Sequence, residues 1–140
     1  MQLNDKSLFK QQCFIDGQWV DADSGDTAKV LNPANGDVLG TMPNAGAAET
    51  RRAIEAANAA WPGWRRLTAK ERAKYIRGWY DLILANADDL AMLMTLEQGK
   101  PLAEAKGEIA YASWFVEWFA EEGKRAYGEV IPQTISDRRI

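Results

Sequence analysis

Histidine does not occur in this sequence, and cysteine occurs once, at Cys13. Without histidine the chain has no imidazole for general acid or base work, no imidazole metal ligand, and no Ser-His or Cys-His nucleophile pair. A single cysteine excludes an internal disulfide and agrees with a reducing compartment. A basic excess is also missing: 17 Lys and Arg stand against 20 Asp and Glu, a net charge of -3, which offers little to a nucleic-acid backbone. No apolar run reaches the roughly 20 residues of a membrane-spanning helix, and the polar start through Lys6 has no apolar signal core. A cytoplasmic chain with neither a nucleic-acid nor a membrane partner is expected. Neither G-x-G-x-x-G nor G-x-x-x-x-G-K-[ST] is present, so no phosphate-cradling loop is visible.

What is present describes an ordered α/β chain of ordinary domain size, 140 residues with 46% hydrophobic and 26% charged. Short β-hairpins are expected over about 9–42. In Phe14-Ile15-Asp16-Gly17-Gln18-Trp19-Val20, Asp-Gly separates two β-prone runs, the favoured two-residue hairpin signal. Asn32-Pro33-Ala34-Asn35-Gly36-Asp37 marks a second turn before the strand-like Val38-Leu39-Gly40-Thr41-Met42.

Three long helices should follow. The first, about 47–61, has Ile54, Ala57 and Trp61 at helical spacing, Glu49 in its first turn and Pro62 after it. The second, about 69–98, opens on the capping box Thr68-Ala69-Lys70-Glu71. It carries the seam Ala73, Ile76, Tyr80, Ile83, Ala87, Leu90, Met94, and stops at Gly99-Lys100-Pro101. The third, about 102–127, is apolar on nearly every face between Ile109 and Ala120, which implies at least two covering surfaces. Residues 135–140 look like the start of a strand.

Several residues invite a chemical reading. Cys13 lies beside Phe14 and Ile15 in a strand-like run with nothing to activate it, so a structural role is expected. Glu104, Glu108, Glu117, Glu121 and Glu122 include pairs at helical spacing, but interleaved Lys106, Lys124 and Arg125 make them a solvated helix face. The cluster Tyr111, Trp114, Phe115, Trp118, Phe119 fits either core packing or the wall of an apolar channel, with packing the leading reading. Coiled-coil pairing through the long seam is the weaker alternative to packing within one protein, because Ala73, Ala87 and Tyr80 make a poor zipper.

The hairpin Phe14 to Val20, then Asn32-Pro33-Ala34-Asn35-Gly36, then Trp64 and Thr68 through Arg72, then Leu96-Glu97-Gln98-Gly99-Lys100-Pro101 stand in the order and spacing of a known N-terminal region. The chain resembles the aldehyde dehydrogenases from about Phe9 onward. Residues 97–109 and 117–125 are similar to the succinate-semialdehyde and glutarate-semialdehyde branch. The resemblance implies that 1–140 is the N-terminal part of a cofactor-binding domain, with the catalytic domain absent. It implies an intact enzyme in which a cysteine thiolate attacks the aldehyde, hydride passes to NADP or NAD, and a glutamate-activated water releases the acid. The residues for those steps lie further along the family chain, so catalytic and cofactor-binding residues are expected here to be none, and Cys13, Arg138 and Arg139 receive no such role. The implied partners are the remainder of the dehydrogenase chain and, in the intact enzyme, further copies in a dimer or tetramer.

Two minor sites also come from the resemblance. Tyr111, with Trp114, falls at the turn that passes near the substrate entrance in relatives. Val30 and Leu31, through their carbonyls, and Glu97, where several relatives have Asp, match a monovalent-cation site; no other metal is implied. The alternative to a dehydrogenase segment is a self-contained helical interaction module without enzymatic activity.

The chain by itself is expected to oxidise no aldehyde and to bind no nicotinamide nucleotide. Calorimetric titration with NADP and a turnover assay with succinate semialdehyde check this. Saturable heat, or turnover abolished by Cys13→Ser, would overturn it.

Overall fold

The computed structural model describes residues 2–137. Among these, two antiparallel hairpins precede four helices. Strands β1 (Cys13–Ile15) and β2 (Gln18–Val20) pair with Phe14 opposite Trp19. Their turn residues Asp16 and Gly17 have φ of 49 and 75, the positive pair that a two-residue hairpin of matching twist requires. The Phe14 and Trp19 rings lie 5.1 Å apart and Lys10 Nζ sits 5.2 Å from the Trp19 ring centre, so cross-strand aromatic contact adds to the backbone pairing of the hairpin.

Strands β3 (Thr27–Leu31) and β4 (Val38–Pro43) form the second hairpin, with an irregular register between Val30 and Leu31. Asn32 organises its turn. The side-chain oxygen accepts from the Ala34 amide at 2.9 Å, and the Asn32 carbonyl accepts from the Gly36 amide at 2.8 Å. Gly40 is closely approached: a Cβ there would lie 2.6 Å from both the Phe9 ring and Gln11 Oε1, so a larger residue would have to displace those side chains, Gln11 from its bond to the Thr41 amide included.

Helix α1 spans Ala47–Arg66. It therefore runs past Pro62, where the sequence predicts an end. The lost amide bond is tolerated because only one turn remains, and Trp64 of that turn rests on Tyr75 with ring centres 6.1 Å apart. The face turned inward also differs from expectation. Glu49, Ala53 and Ala56 are the more covered positions, while Ile54, Ala57 and Trp61 are exposed.

The helix expected over 69–98 is two. Helix α2 covers Ala69–Ala85, α3 covers Ala87–Gln98, and Asn86 breaks them at φ -114, ψ 17. Asn86 Nδ2 donates to the Leu82 carbonyl at 2.8 Å, a local bond that competes with helix continuation. The capping box at Thr68 is present: its amide donates to Glu71 at 2.7 Å and its hydroxyl accepts from the Glu71 amide at 3.3 Å. Gly99, at φ 78, closes α3 with its amide on the Thr95 carbonyl.

Helix α4 runs Leu102–Glu122 and passes at Gly123–Arg125 into a 3₁₀ turn, short of the expected end near 127. Gly123 weakens the helix there, and Lys124 and Arg125 fold back onto Glu121 and Glu122 at 2.9 Å each. In place of the expected strand start, residues 135–137 form a bend and turn; 138–140 lie outside the described residues. Among the described residues no helix is long and apolar enough to cross a membrane.

Among the described residues the buried side chains are few and mostly small: Leu3, Ala22, Pro43, Ala73, Ala91, Ala105, Ser113 and Ala120, with the carboxylates Glu49 and Asp89. Helix α4 packs along α2 and α3 through this small-residue seam. Two buried carboxylates tie the peripheral segments down. Asp89, at the start of α3, accepts from the Asn4 amide at 3.0 Å and the Asp5 amide at 2.8 Å. Glu49 accepts from the Asp23 amide at 2.7 Å and the Gly46 amide at 2.9 Å, joining the loop before β3 to the start of α1.

Those amides, the Asp23 one foremost, hold the Glu49 carboxyl below the ordinary glutamate range. A depressed folded-state pKa contributes stability above the unfolded-state value of about 4.3, and that contribution is lost as pH falls through the folded-state value. Urea midpoints measured from pH 6 downward should therefore fall below about pH 4. Glu49→Gln should lower the midpoint at pH 6 and flatten its acid limb. An unchanged pH profile in Glu49→Gln would show that this carboxylate does not link the loop to α1.

Candidate functional site: the aromatic face of α4

Two opposite stripes run along α4. The inner stripe, Ala105, Ile109, Ser113, Val116 and Ala120, recurs at steps of four and three and faces α2 and α3. Ser113 is 1% exposed and donates its hydroxyl to the Ala110 carbonyl at 2.7 Å, so it packs as a small residue with its polarity satisfied within the helix. The outer stripe, Tyr111, Trp114, Phe115, Trp118 and Phe119, follows the same periodicity and faces away. Its members are 48–64% exposed.

The outer rings touch one another. Tyr111 meets Phe115 edge-on at 4.9 Å and 87°, and Trp114 at 6.3 Å and 72°. Together with Trp118 and Phe119 they line an open apolar groove of about 270 Å³. Within this chain the small residues of the opposite stripe take the interior position and the aromatic cluster stays uncovered, which leaves both expected readings, packing within a larger protein and the wall of a channel, open. Tyr111 and Trp114, the entrance residues implied by the family resemblance, are brought together in this groove.

Charges around the face are paired. Lys100 meets Glu108 at 2.6 Å, Lys106 meets Asp88 at 2.7 Å, and Arg77 meets Glu117 at 2.9 Å while its guanidinium lies 4.6 Å from the Tyr80 ring centre. The Glu108 carboxylate raises the Lys100 pKa, and Lys124 lowers that of Glu121. These carboxylates are structural ion-pair members, and several reach between helices rather than only into solvent.

Val30 and Leu31 lie at the irregular point of the β3–β4 pairing, and Glu97 is exposed in the last turn of α3. The segments that follow them meet: a Cβ on Gly99 would stand 3.0 Å from Pro33 Cγ. Among the described residues no group of three or more Cys, Asp or Glu side chains is arranged to hold a metal ion. Cys13, in β1, is half-buried opposite Val20.

Among the described residues the helix N-termini are acidic. A helix N-terminus with free amides favours a pyrophosphate, whereas the first turns of α1, α2, α3 and α4 carry Glu49, Glu71, Asp88 with Asp89, and Glu104. Glu49 and Glu71 already accept the amides there. Sequence reasoning misses Asp89 and Glu49 as anchors and Asn86 as a break. One signal for them is readable: Asn86-Ala87-Asp88-Asp89 has the composition of a helix start.

Among the described residues, a pair of hairpins leads into four helices with many large apolar side chains exposed, an α/β arrangement. The model of the aldehyde dehydrogenase family matches residues 19–140. The chain belongs to that family. It is 65% identical over 140 residues to the glutarate-semialdehyde dehydrogenase of Pseudomonas aeruginosa, matching 100% of this chain and 29% of that protein. With the NADP-dependent succinate-semialdehyde dehydrogenase of Escherichia coli the identity is 62%, again over 100% of this chain and 29% of the relative. The crystal structure of succinate-semialdehyde dehydrogenase from Burkholderia pseudomallei superposes with a TM-score of 0.97 at 59% identity, covering 99% of this chain and 29% of that one. The chain thus spans under a third of the length of the relatives it matches.

Covering the outer stripe should contribute roughly 1–2 kcal/mol for each half-exposed ring. The purified chain is therefore expected to keep helical far-UV circular dichroism while binding hydrophobic dye. Replacing Trp114 and Trp118 by Ser should reduce dye fluorescence severalfold with the helical signal intact. A dye-negative monomer with a sharp cooperative urea transition would contradict the exposed face and favour a self-contained module.

Proposed function

We propose that the chain is the N-terminal segment of an NAD(P)-dependent dehydrogenase that oxidises succinate or glutarate semialdehyde to the corresponding dicarboxylate in the cytoplasm. In this reading it forms the first part of the cofactor-binding domain and supplies scaffold rather than reacting groups. The observation that carries the reading is the 62–65% identity to semialdehyde dehydrogenases across all 140 residues, with no gap in coverage of the chain. The uncovered α4 face supports it, because a segment that completes its core elsewhere has that surface. The alanine-dominated core speaks against the self-contained module.

The nucleophile, the general base and the nicotinamide cofactor belong in this proposal to the rest of the family chain, and no chemical step is assigned to residues here. Bound there, the cofactor would supply the hydride acceptor for oxidation at the carbon of the bound substrate. Tyr111 and Trp114 form part of the wall by which the semialdehyde approaches. The Val30 and Leu31 carbonyls with the Glu97 carboxylate hold a monovalent cation, a role supported by the pairing irregularity at Val30 and by the Gly99 to Pro33 approach that draws β3 and α3 together. The intact enzyme assembles as a dimer or tetramer.

A chimera in which these 140 residues replace the matching segment of the E. coli relative tests the proposal. It should oxidise succinate semialdehyde with NADP at a kcat within about tenfold of that relative, an allowance of about 1.4 kcal/mol in barrier. Within it, Tyr111→Ala should raise KM severalfold with a smaller change in kcat. A folded, NADP-binding chimera without turnover would sink the assignment.

A further inference from the structure

We propose that Asn35 is a site of self-modification, at which the Gly36 nitrogen displaces ammonia from the Asn35 carboxamide. The closed β3–β4 turn gates the reaction through the hydrogen bond from the Gly36 amide to the Asn32 carbonyl.

The sequence supplies the reacting pair. Asn35-Gly36 is the single Asn-Gly step in the chain, while Asn44, Asn58 and Asn86 precede alanine. Glycine has no Cβ to shield its amide nitrogen, and nothing lies within 4 Å of where one would stand at Gly36. Both residues are exposed, so water and hydroxide reach them. The reaction needs neither a cofactor nor a second protein. The Gly36 nitrogen gives its proton to hydroxide and bonds to Asn35 Cγ; the Cγ–Nδ2 bond breaks, and Nδ2 leaves as ammonia with a proton from water. The five-membered imide that results takes up one water. Opening at Cγ gives aspartate, and opening at the Asn35 main-chain carbonyl gives isoaspartate, in which the backbone runs through the side chain.

The turn prepares one half of this step and holds back the other. Asn35 Oδ1 accepts from the Asp37 amide at 3.0 Å. That bond closes a ring around the Gly36 nitrogen and sets a donor on the oxygen where negative charge develops as the nitrogen adds. The nucleophile, in contrast, is engaged, because the Gly36 amide donates to the Asn32 carbonyl at 2.8 Å. The Asp37 carboxylate accepts from Asn35 Nδ2 at 2.8 Å and so places negative charge beside the amide that must ionise. Loss of the Gly36 proton therefore waits for the turn to open.

Asn32 keeps it shut. Its Oδ1 accepts from the Ala34 amide at 2.9 Å, and its own amide donates to the Asp37 carbonyl at 2.8 Å. Isoaspartate lengthens the main chain by an atom and carries Gly36 out of register with Asn32, so the gate does not close again. Pro33 of the same turn would stand 3.0 Å from a Cβ on Gly99, so the change is felt where the hairpin abuts the end of α3.

The test incubates the 140-residue chain in mildly alkaline buffer, native and in guanidinium chloride, and maps amide-to-acid mass gain and isoaspartate peptide by peptide. Asn35 should be the principal converted amide in both, with isoaspartate the larger product and conversion at least fivefold slower in the native chain. Asn32→Ala, which removes the bond to the Ala34 amide, should raise the native rate severalfold and leave the rate in guanidinium chloride unchanged. Asn32→Asp, which keeps an acceptor there, should behave like the unsubstituted chain. Hydrogen exchange at the Gly36 amide, followed by NMR in the unsubstituted chain, depends on no variant and should show at least tenfold protection over an unstructured glycine amide. Native conversion as fast as in guanidinium chloride, or an unprotected Gly36 amide, would overturn the gate. A folded Asn32→Ala chain that converts no faster would do the same. Conversion at Asn44, Asn58 or Asn86 ahead of Asn35 in either condition, or a native chain unconverted over weeks, would overturn the site itself.

Discussion

The seam where α4 lays Ala105, Ser113 and Ala120 against α2 and α3 is the contact on which the helical part depends. Small residues there let the helices approach closely, which brings Arg77 of α2 within reach of Glu117 and fixes the rotation of α4 about its own axis. Once that rotation is fixed, the five large rings have one direction left, outward. The exposed aromatic face is therefore a geometric consequence of which side of α4 carries the small residues.

Peripheral segments are attached by a different device. Asp89 and Glu49 use single carboxylates to gather amides from chain distant in sequence: Asp89 takes those of Asn4 and Asp5, and Glu49 takes that of Asp23. Each carboxylate also lies in the first turn of a helix, where the helix dipole favours negative charge. The same placement that steadies the fold occupies the positions at which a phosphate would bind.

Where signals are local, the sequence is legible. Asp16-Gly17 specifies a hairpin whose positive φ values are present, Thr68 and Glu71 specify a cap that forms, and Gly99 specifies a left-handed stop. The seam from Ala73 to Met94 is also legible, since every member is buried or half-buried. Asn86 is hidden because the three-four pattern continues across it and pattern alone does not register a single bent residue. On α1 the pattern places the large residues Ile54 and Trp61 inside, but the side turned toward the first hairpin is the alanine one, with Ala53 and Ala56 more covered than Ile54 and Trp61.

For the site, sequence alone determined the composition and spacing of the aromatic stripe, the absence of an imidazole, and the family motifs, since each is a property of neighbouring residues or of their order along the chain. Only the tertiary structure decided which stripe of α4 is covered and which is open. Both stripes satisfy the same helical periodicity, and the choice between them is made by close packing against α2 and α3, a contact between residues far apart in sequence.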